Sequence, residues 1–313
     1  MERRRYTDLE YWKKYLPFLP EEMRFTDEVQ PEEEWWQWRG NDIHVDRLRS
    51  PGSKCKFIFL HGGGGNGRLV GTIGACFYRL GYEYLAPDLP GFGLTLADKA
   101  SRTNYGAWVD LASDLVNREC REDGRPVIVF GGSIGGMLAY HVGCRNENVR
   151  GIIATCLVDS RTAAGRDALA RNKLWSRVGY VTTTLFPFII RIINIRVHTI
   201  SKLMAMTNDP DFSRLFVDDP LVGRARMNLG FYKSMTAYTP AVEPELFIRC
   251  PLLLVHPELD RWTPFHLSKS FFDRVAGEKT CVLLEGAGHY PYEKPGLDQM
   301  IDAVEKFAND IIF

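Results

Sequence analysis

Three stretches of the 313-residue chain carry residue types and spacings suited to nucleophilic chemistry, and a serine fenced by glycines is the first of them. Ser133 stands in Gly131-Gly132-Ser133-Ile134-Gly135, a G-x-S-x-G pattern. Where a strand turns at once into a helix, only small neighbours fit beside the turn residue. A serine there takes a strained backbone position with its hydroxyl above the sheet. Glycine-serine pairs also mark ordinary turns, so the flanks decide the reading. Residues 126–130 read as a short buried strand. Residues 134–143 read as a helix bearing Met137, Leu138, Tyr140 and Val142.

A serine nucleophile needs a general base and an acid to orient that base, with the expected chain order serine, acid, histidine. Of seven histidines, His289 follows a strand-like run in the glycine-rich stretch "LLEGAGHYPYEKP", which suits a loop at the sheet's carboxyl edge. Asp260, in "LLLVHPELDRWTP", lies just past a strand-like run, with Pro264 opening the next helix. Asp159 and Glu258 are competing acids, ranked behind Asp260 in that order. The negative charge formed in acyl transfer needs backbone N–H donors. "FIFLHGGGGNG" at 57–67 supplies a loop whose backbone can approach a substrate closely, so the expected donors are Ile134 and Gly63 or Gly64. No Lys-Ser or Lys-Thr pair follows these glycines, which rules out a phosphate-binding P-loop there.

The elements that must position these residues follow from periodicity. Residues 32–50 form a leading antiparallel hairpin with its turn signal at Gly40, Asn41 and Asp42. Short apolar runs at 56–60, 84–87, 126–130, 151–155, 251–255 and 279–284 alternate with helical segments, which implies a mostly parallel sheet. One gap, from Thr155 to Pro251, is too long for a single crossover. It reads as a helical insertion, with one helical stretch over 175–206 and another around 224–235. The organisation expected is an N-terminal helical extension at 1–30, a core at 31–159 and 246–313, and a helical cap at 160–245. Within the cap, Leu185, Phe186, Phe188, Ile189, Ile190, Ile192, Ile193 and Ile195 surround Arg191 in a run too short and too charged to span a bilayer. Such a run packs on the core or lines an apolar pocket.

Composition narrows the class. With 45% hydrophobic and 25% charged residues the chain can bury a sizeable core in one large domain. Thirty-nine basic residues balance thirty-nine acidic ones, so no overall field holds nucleic acid or an anionic membrane. Seven scattered cysteines without a C-x-x-C pair read as reduced thiols rather than a disulfide framework or zinc site. The N-terminus, interrupted by Asp8, Glu10, Lys13 and Lys14, has no apolar run of a signal peptide, and the expected compartment is the cytoplasm.

Taken together, "HGGGG" at 61, "PDLPGFGLT" at 87, "GGSIGG" at 131, "ELDRWTP" at 258 and "GAGHYPYEKP" at 286 resemble the α/β-hydrolase superfamily, in family order and over about residues 35–155 and 250–313. The resemblance implies an eight-stranded sheet flanked by helices and a Ser133, Asp260, His289 triad. Gly132 departs from relatives, which often carry His, Asn, Asp or Glu there. The serine disfavours dehalogenases and epoxide hydrolases, which carry aspartate at its position. The reading is a serine esterase or lipase-like enzyme acting on a small-molecule ester with an apolar part, without metal or organic cofactor. Thioesterase, amidase, carbon-carbon bond hydrolase, acyltransferase and a non-catalytic ligand-binding member of the fold are the alternatives.

Overall fold

The computed structural model describes residues 3–185 and 189–312. In chain order the strands are β1 (Glu32–Trp38), β2 (Asn41–Leu48), β3 (Lys56–Leu60), β4 (Glu83–Pro87), β5 (Val127–Gly131), β6 (Val149–Ala154), β7 (Asn194–Arg196), β8 (Arg226–Asn228), β9 (Leu252–Pro257) and β10 (Lys279–Leu284). Eight of them form one sheet in the order β1-β2-β4-β3-β5-β6-β9-β10. β1, β2 and β4 pair antiparallel, and every other pair in that sheet is parallel. The helices Gly67–Arg79, Tyr105–Asp123, Ile134–Arg145, Phe265–Phe272 and Gly296–Ile312 flank it. Every residue of β3, β5 and β9 is buried, as expected of strands covered on both faces.

Local chemistry sets the boundaries. The hairpin turn falls on Arg39 and Gly40, both at positive φ (46° and 79°), one residue earlier than the sequence signal suggests. Such a two-residue turn matches the strand twist and leaves Asn41 and Asp42 to pair with Trp38 and Gln37. β5 and β9 begin one residue after Pro126 and Pro251, because a proline has no N–H to give the ladder. The proline carbonyls still accept from Lys56 and Ile152.

Between β6 and β9 the chain folds into the helices Ala163–Leu169, Lys173–Leu185, Pro210–Asp218 and Leu229–Thr236, with shorter turns between them. The sequence pattern suggests helix through 194–196 and 226–228. Those residues instead form the antiparallel ribbon β7–β8, with Ile195 paired to Met227. Asn228 ends the ribbon by capping the following helix, its side chain accepting from the Gly230 N–H at 2.7 Å. Residues 186–188, including Phe186 and Phe188, lie outside the described residues.

At the N-terminus, where a helical extension is expected, the chain makes four single 3₁₀ turns: Tyr6–Asp8, Trp12–Lys14, Leu16–Phe18 and Glu21–Met23. Pro17 and Pro20 withhold the N–H groups that a continuous helix requires. The segment braces the helix Pro210–Asp218: Tyr15 buries its ring 5.2 Å from that of Phe216, and its hydroxyl donates to Asp219 at 2.8 Å. No helix among the described residues is long and apolar enough to cross a membrane, and the seven cysteines are free.

Candidate active site

The turn at Ser133 is built by what its neighbours lack. Ser133 sits at φ 56°, ψ −126°, between the end of β5 and the helix Ile134–Arg145. A Cβ on Gly131 would stand 1.9 Å from the Gly135 carbonyl oxygen, one on Gly135 2.1 Å from that of Leu60, and one on Gly136 2.1 Å from that of Cys156. Only glycines let helix, strand and following loop approach this closely. The Ser133 N–H donates to Thr155 Oγ1 at 3.0 Å, which fixes the strained peptide.

His289 and Asp260 come from loops after β10 and β9. The two loops are tied by the Leu259 N–H donating to the Ala287 carbonyl at 2.9 Å and the Gly286 N–H donating to the Glu258 carboxylate at 3.0 Å. Asp260 Oδ2 lies 2.8 Å from His289 Nδ1 and accepts from Thr263 Oγ1 at 2.7 Å, while its Oδ1 accepts from the N–H groups of Trp262 and Thr263 at 2.8 Å each. Burial alone would raise the Asp260 carboxyl, but attraction to His289 and these hydrogen bonds prevail and hold it at about 2. The Trp262 ring lies 4.9 Å from the imidazole, at 32° to it. His289 Nε2 is buried and has no hydrogen-bond partner among the described residues. The other two candidate acids are used elsewhere: Glu258 ties the loops, and Asp159 binds the Arg161 guanidinium at 2.8 Å.

The glycine loop after β3 passes over Ser133. A Cβ on Gly62 would lie 2.8 Å from Ser133 Cβ, and one on Gly63 3.0 Å from Ile134 Cδ1. Gly64 has φ +82° and abuts Val197. His61 shapes this loop. Its Nε2 accepts from the Leu89 N–H at 2.9 Å, so Nδ1 carries the proton and donates to the Gly62 carbonyl at 2.7 Å. Burial lowers the His61 pKa, which keeps the ring neutral for both bonds.

Of the three cavities that border Ser133 among the described residues, the two larger are apolar chambers. One, of about 70 Å³, contains His289 together with Gly62, Leu69, Ile73 and Trp262. The other, of about 150 Å³, runs under the 160–245 segment and is lined by Val178, Ile195, Met227, Leu229 and Met235. Ile192, grouped with this apolar run in the sequence, is instead 67% exposed and lines a separate cavity.

Thr155, Thr263, Trp262 and His61 complete the geometry without an individual signal in the sequence, although His61 heads the glycine run. Among the described residues, Glu33, His44 and Asp46 gather within metal-ligating reach, but the Arg68 guanidinium already pairs with both carboxylates, 2.6 Å from Asp46 and 3.2 Å from Glu33.

Comparison with known proteins agrees with this architecture. Residues 57–304 match the family model described as the alpha/beta hydrolase family. No curated protein matches in sequence. Among solved structures, the fold is similar to that of a soluble variant of monoglyceride lipase from Saccharomyces cerevisiae, solved with a substrate analog, at 15% identity and a TM-score of 0.72, covering 90% of this chain and 95% of that one. It is also similar to the monoacylglycerol lipase of Paleococcus ferrophilus (18% identity, TM-score 0.63, 86% and 98% covered) and to an esterase from Exiguobacterium antarcticum (18%, 0.56, 90% and 99%).

Proposed function

The chain belongs to the alpha/beta hydrolase family, and from that premise we propose that it is a serine hydrolase cleaving a carboxylic ester with an apolar acyl or alcohol part. The observation that carries this reading is His289: its Nδ1 is engaged by Asp260, its Nε2 is buried without a partner among the described residues, and it shares a chamber with Ser133. A base held in one tautomer by Asp260, lining the same chamber as Ser133 with its other nitrogen unbonded, suits the role of general base.

In this mechanism Ser133 Oγ attacks the acyl carbonyl while His289 Nε2 accepts the proton. Asp260 holds the imidazole and stabilises its charged form. The backbone N–H of Ile134 and that of Gly63 or Gly64 receive the oxyanion. The intermediate collapses with the proton passing from His289 to the leaving alcohol, and a water activated by the same imidazole frees the acid. Residues 31–159 and 246–313 are the catalytic core in this reading, 1–30 a bracing extension, and 160–245 a cap that walls the larger apolar chamber.

Labelling with a fluorophosphonate followed by mass spectrometry tests the assignment. The adduct is expected on Ser133 and absent in Ser133→Ala, with ester turnover falling by about 10⁶-fold. An adduct confined to another serine, or turnover retained in Ser133→Ala, overturns it.

A further inference from the structure

On the other side of the β7–β8 ribbon lies a cavity of about 240 Å³, larger than either chamber at Ser133 and opposite to them in character. Lys99, Arg102, Arg191 and Arg226 line it together with Asn194 and Asn228, and none of the described residues in its wall carries a carboxylate. The ribbon's alternation produces the contrast. The paired residues Ile195 and Met227 face the apolar chamber, and their neighbours Asn194, Arg226 and Asn228 line the basic cavity. Met227 borders both, and its methyl reaches within 3.9 Å of where a Cβ on Gly63 would stand. The two spaces are therefore separated by about one side chain.

Among the described residues none of these four cations forms an ion pair. The nearest acid in sequence, Asp98, caps the short helix that carries Lys99 and Arg102, accepting from the Ser101 N–H at 2.7 Å, and it attracts Arg102 from beyond ion-pairing distance. Like charges gathered around one concavity repel, and a bound anion reverses the sign of that energy. Three of the four are arginines, whose planar donors match phosphate oxygens two at a time.

We propose that this cavity binds a phosphate monoester. The group reaches it either as the head of the ester substrate whose acyl part lies at Ser133 or as a free small molecule. The substrate arm rests on the hydrolase reading above, and the site itself does not.

Calorimetry on Ser133→Ala with glycerol 3-phosphate tests the site apart from any turnover. Saturable one-to-one binding is expected, at least tenfold weaker in Ser133→Ala carrying Arg191→Gln and Arg226→Gln, with both proteins shown folded by circular dichroism. A folded charge variant that binds equally well, or no saturable binding by the parent of either glycerol 3-phosphate or 1-octanoyl-glycerol 3-phosphate, overturns the proposal. So does binding only to phosphatidylglycerol vesicles, which marks a charged surface rather than a site. Turnover in the wild type identifies the source. A preference of at least tenfold in kcat/KM for 1-octanoyl-glycerol 3-phosphate over 1-octanoylglycerol, reduced to near unity in Arg191→Gln/Arg226→Gln, assigns the phosphate to the substrate. Glycerol 3-phosphate binding without that preference assigns it to a free ligand. If fluorophosphonate labelling of Ser133 fails while the calorimetric result holds, the hydrolase reading falls and the anion site stands.

Discussion

At Ser133 the backbone holds a conformation that costs an L residue on the order of 1–3 kcal/mol, and three glycines with no room for a Cβ maintain it. Gly135→Ala forces a methyl to within 2.1 Å of the Leu60 carbonyl oxygen, so β3 and the helix must separate. A loss of about 1–3 kcal/mol or more in chemical denaturation is expected, together with slower fluorophosphonate labelling. Unchanged stability would show that the strand and helix are not locked in this way. At Asp260 the expected change is chemical. Asp260→Asn removes the acceptor that fixes the His289 tautomer, and kcat should fall by about 10⁴-fold. Its carboxyl, depressed to about 2, contributes stability that is present above about pH 4 and lost as pH falls through 2. Thermal melts between pH 5 and 2 should therefore be steeper in pH for the wild type than for Asp260→Asn, and parallel profiles would remove that contribution. Ser133, His289 and Asp260 were legible because residue type, order and adjacency to a strand end are local signals. The bond from the Ser133 N–H to Thr155 was not, since a threonine accepting from a distant segment leaves no pattern in its own neighbourhood.

Among elements, β3, β4, β5 and β9 were readable because burial on both faces imposes continuous apolar runs. The β7–β8 ribbon was not. Three residues per strand give too little alternation to set against the helical periodicity around them. That ribbon, with the helix Lys173–Leu185, forms the wall of the larger apolar chamber through Ile195, Met227 and Val178. Each buried methylene is worth about 0.8 kcal/mol, so kcat/KM should rise about fourfold per added CH₂ across p-nitrophenyl esters from acetate until the chamber is full. Val178→Ala with Ile195→Ala should flatten or shift this profile. A flat profile in the wild type would remove the case for an apolar substrate, and an unchanged one in a folded variant would put selectivity elsewhere, without touching the triad.

For the whole molecule, one buried charge cluster joins the N-terminal segment, the sheet and the glycine loop. Asp88 accepts from the Gly67 N–H that opens the helix after the loop, from Leu94 N–H and from the Tyr6 hydroxyl, at 2.6 to 2.9 Å. His44 lies between Asp88 and Glu33, at 3.3 and 2.9 Å, and Arg68 joins Glu33 to Asp46. Burial alone would lower the His44 pKa, but the Asp88 carboxylate beside Nδ1, the hydrogen bond of Nε2 to Glu33 and the other carboxylates around the ring raise it to about 10. The cluster then carries two cations against three carboxylates, with Tyr6 donating to the third. An unfolded histidine titrates near 6.5, so His44 contributes its full stability below about pH 6.5. Between there and pH 10 the folded state keeps a proton that the unfolded state has lost, and stability falls by up to about 1.4 kcal/mol per pH unit. Calorimetric melts at pH 7, 8 and 9 should show the wild-type Tm declining, and His44→Gln, starting lower, declining less steeply. Because Gly67 hangs on Asp88, the same alkaline loss should loosen the loop over Ser133, and fluorophosphonate labelling of His44→Gln should be slower than wild type at pH 7. Equal pH slopes for the two proteins would mean that His44 is neutral in the fold and that the cluster is held by Arg68 alone.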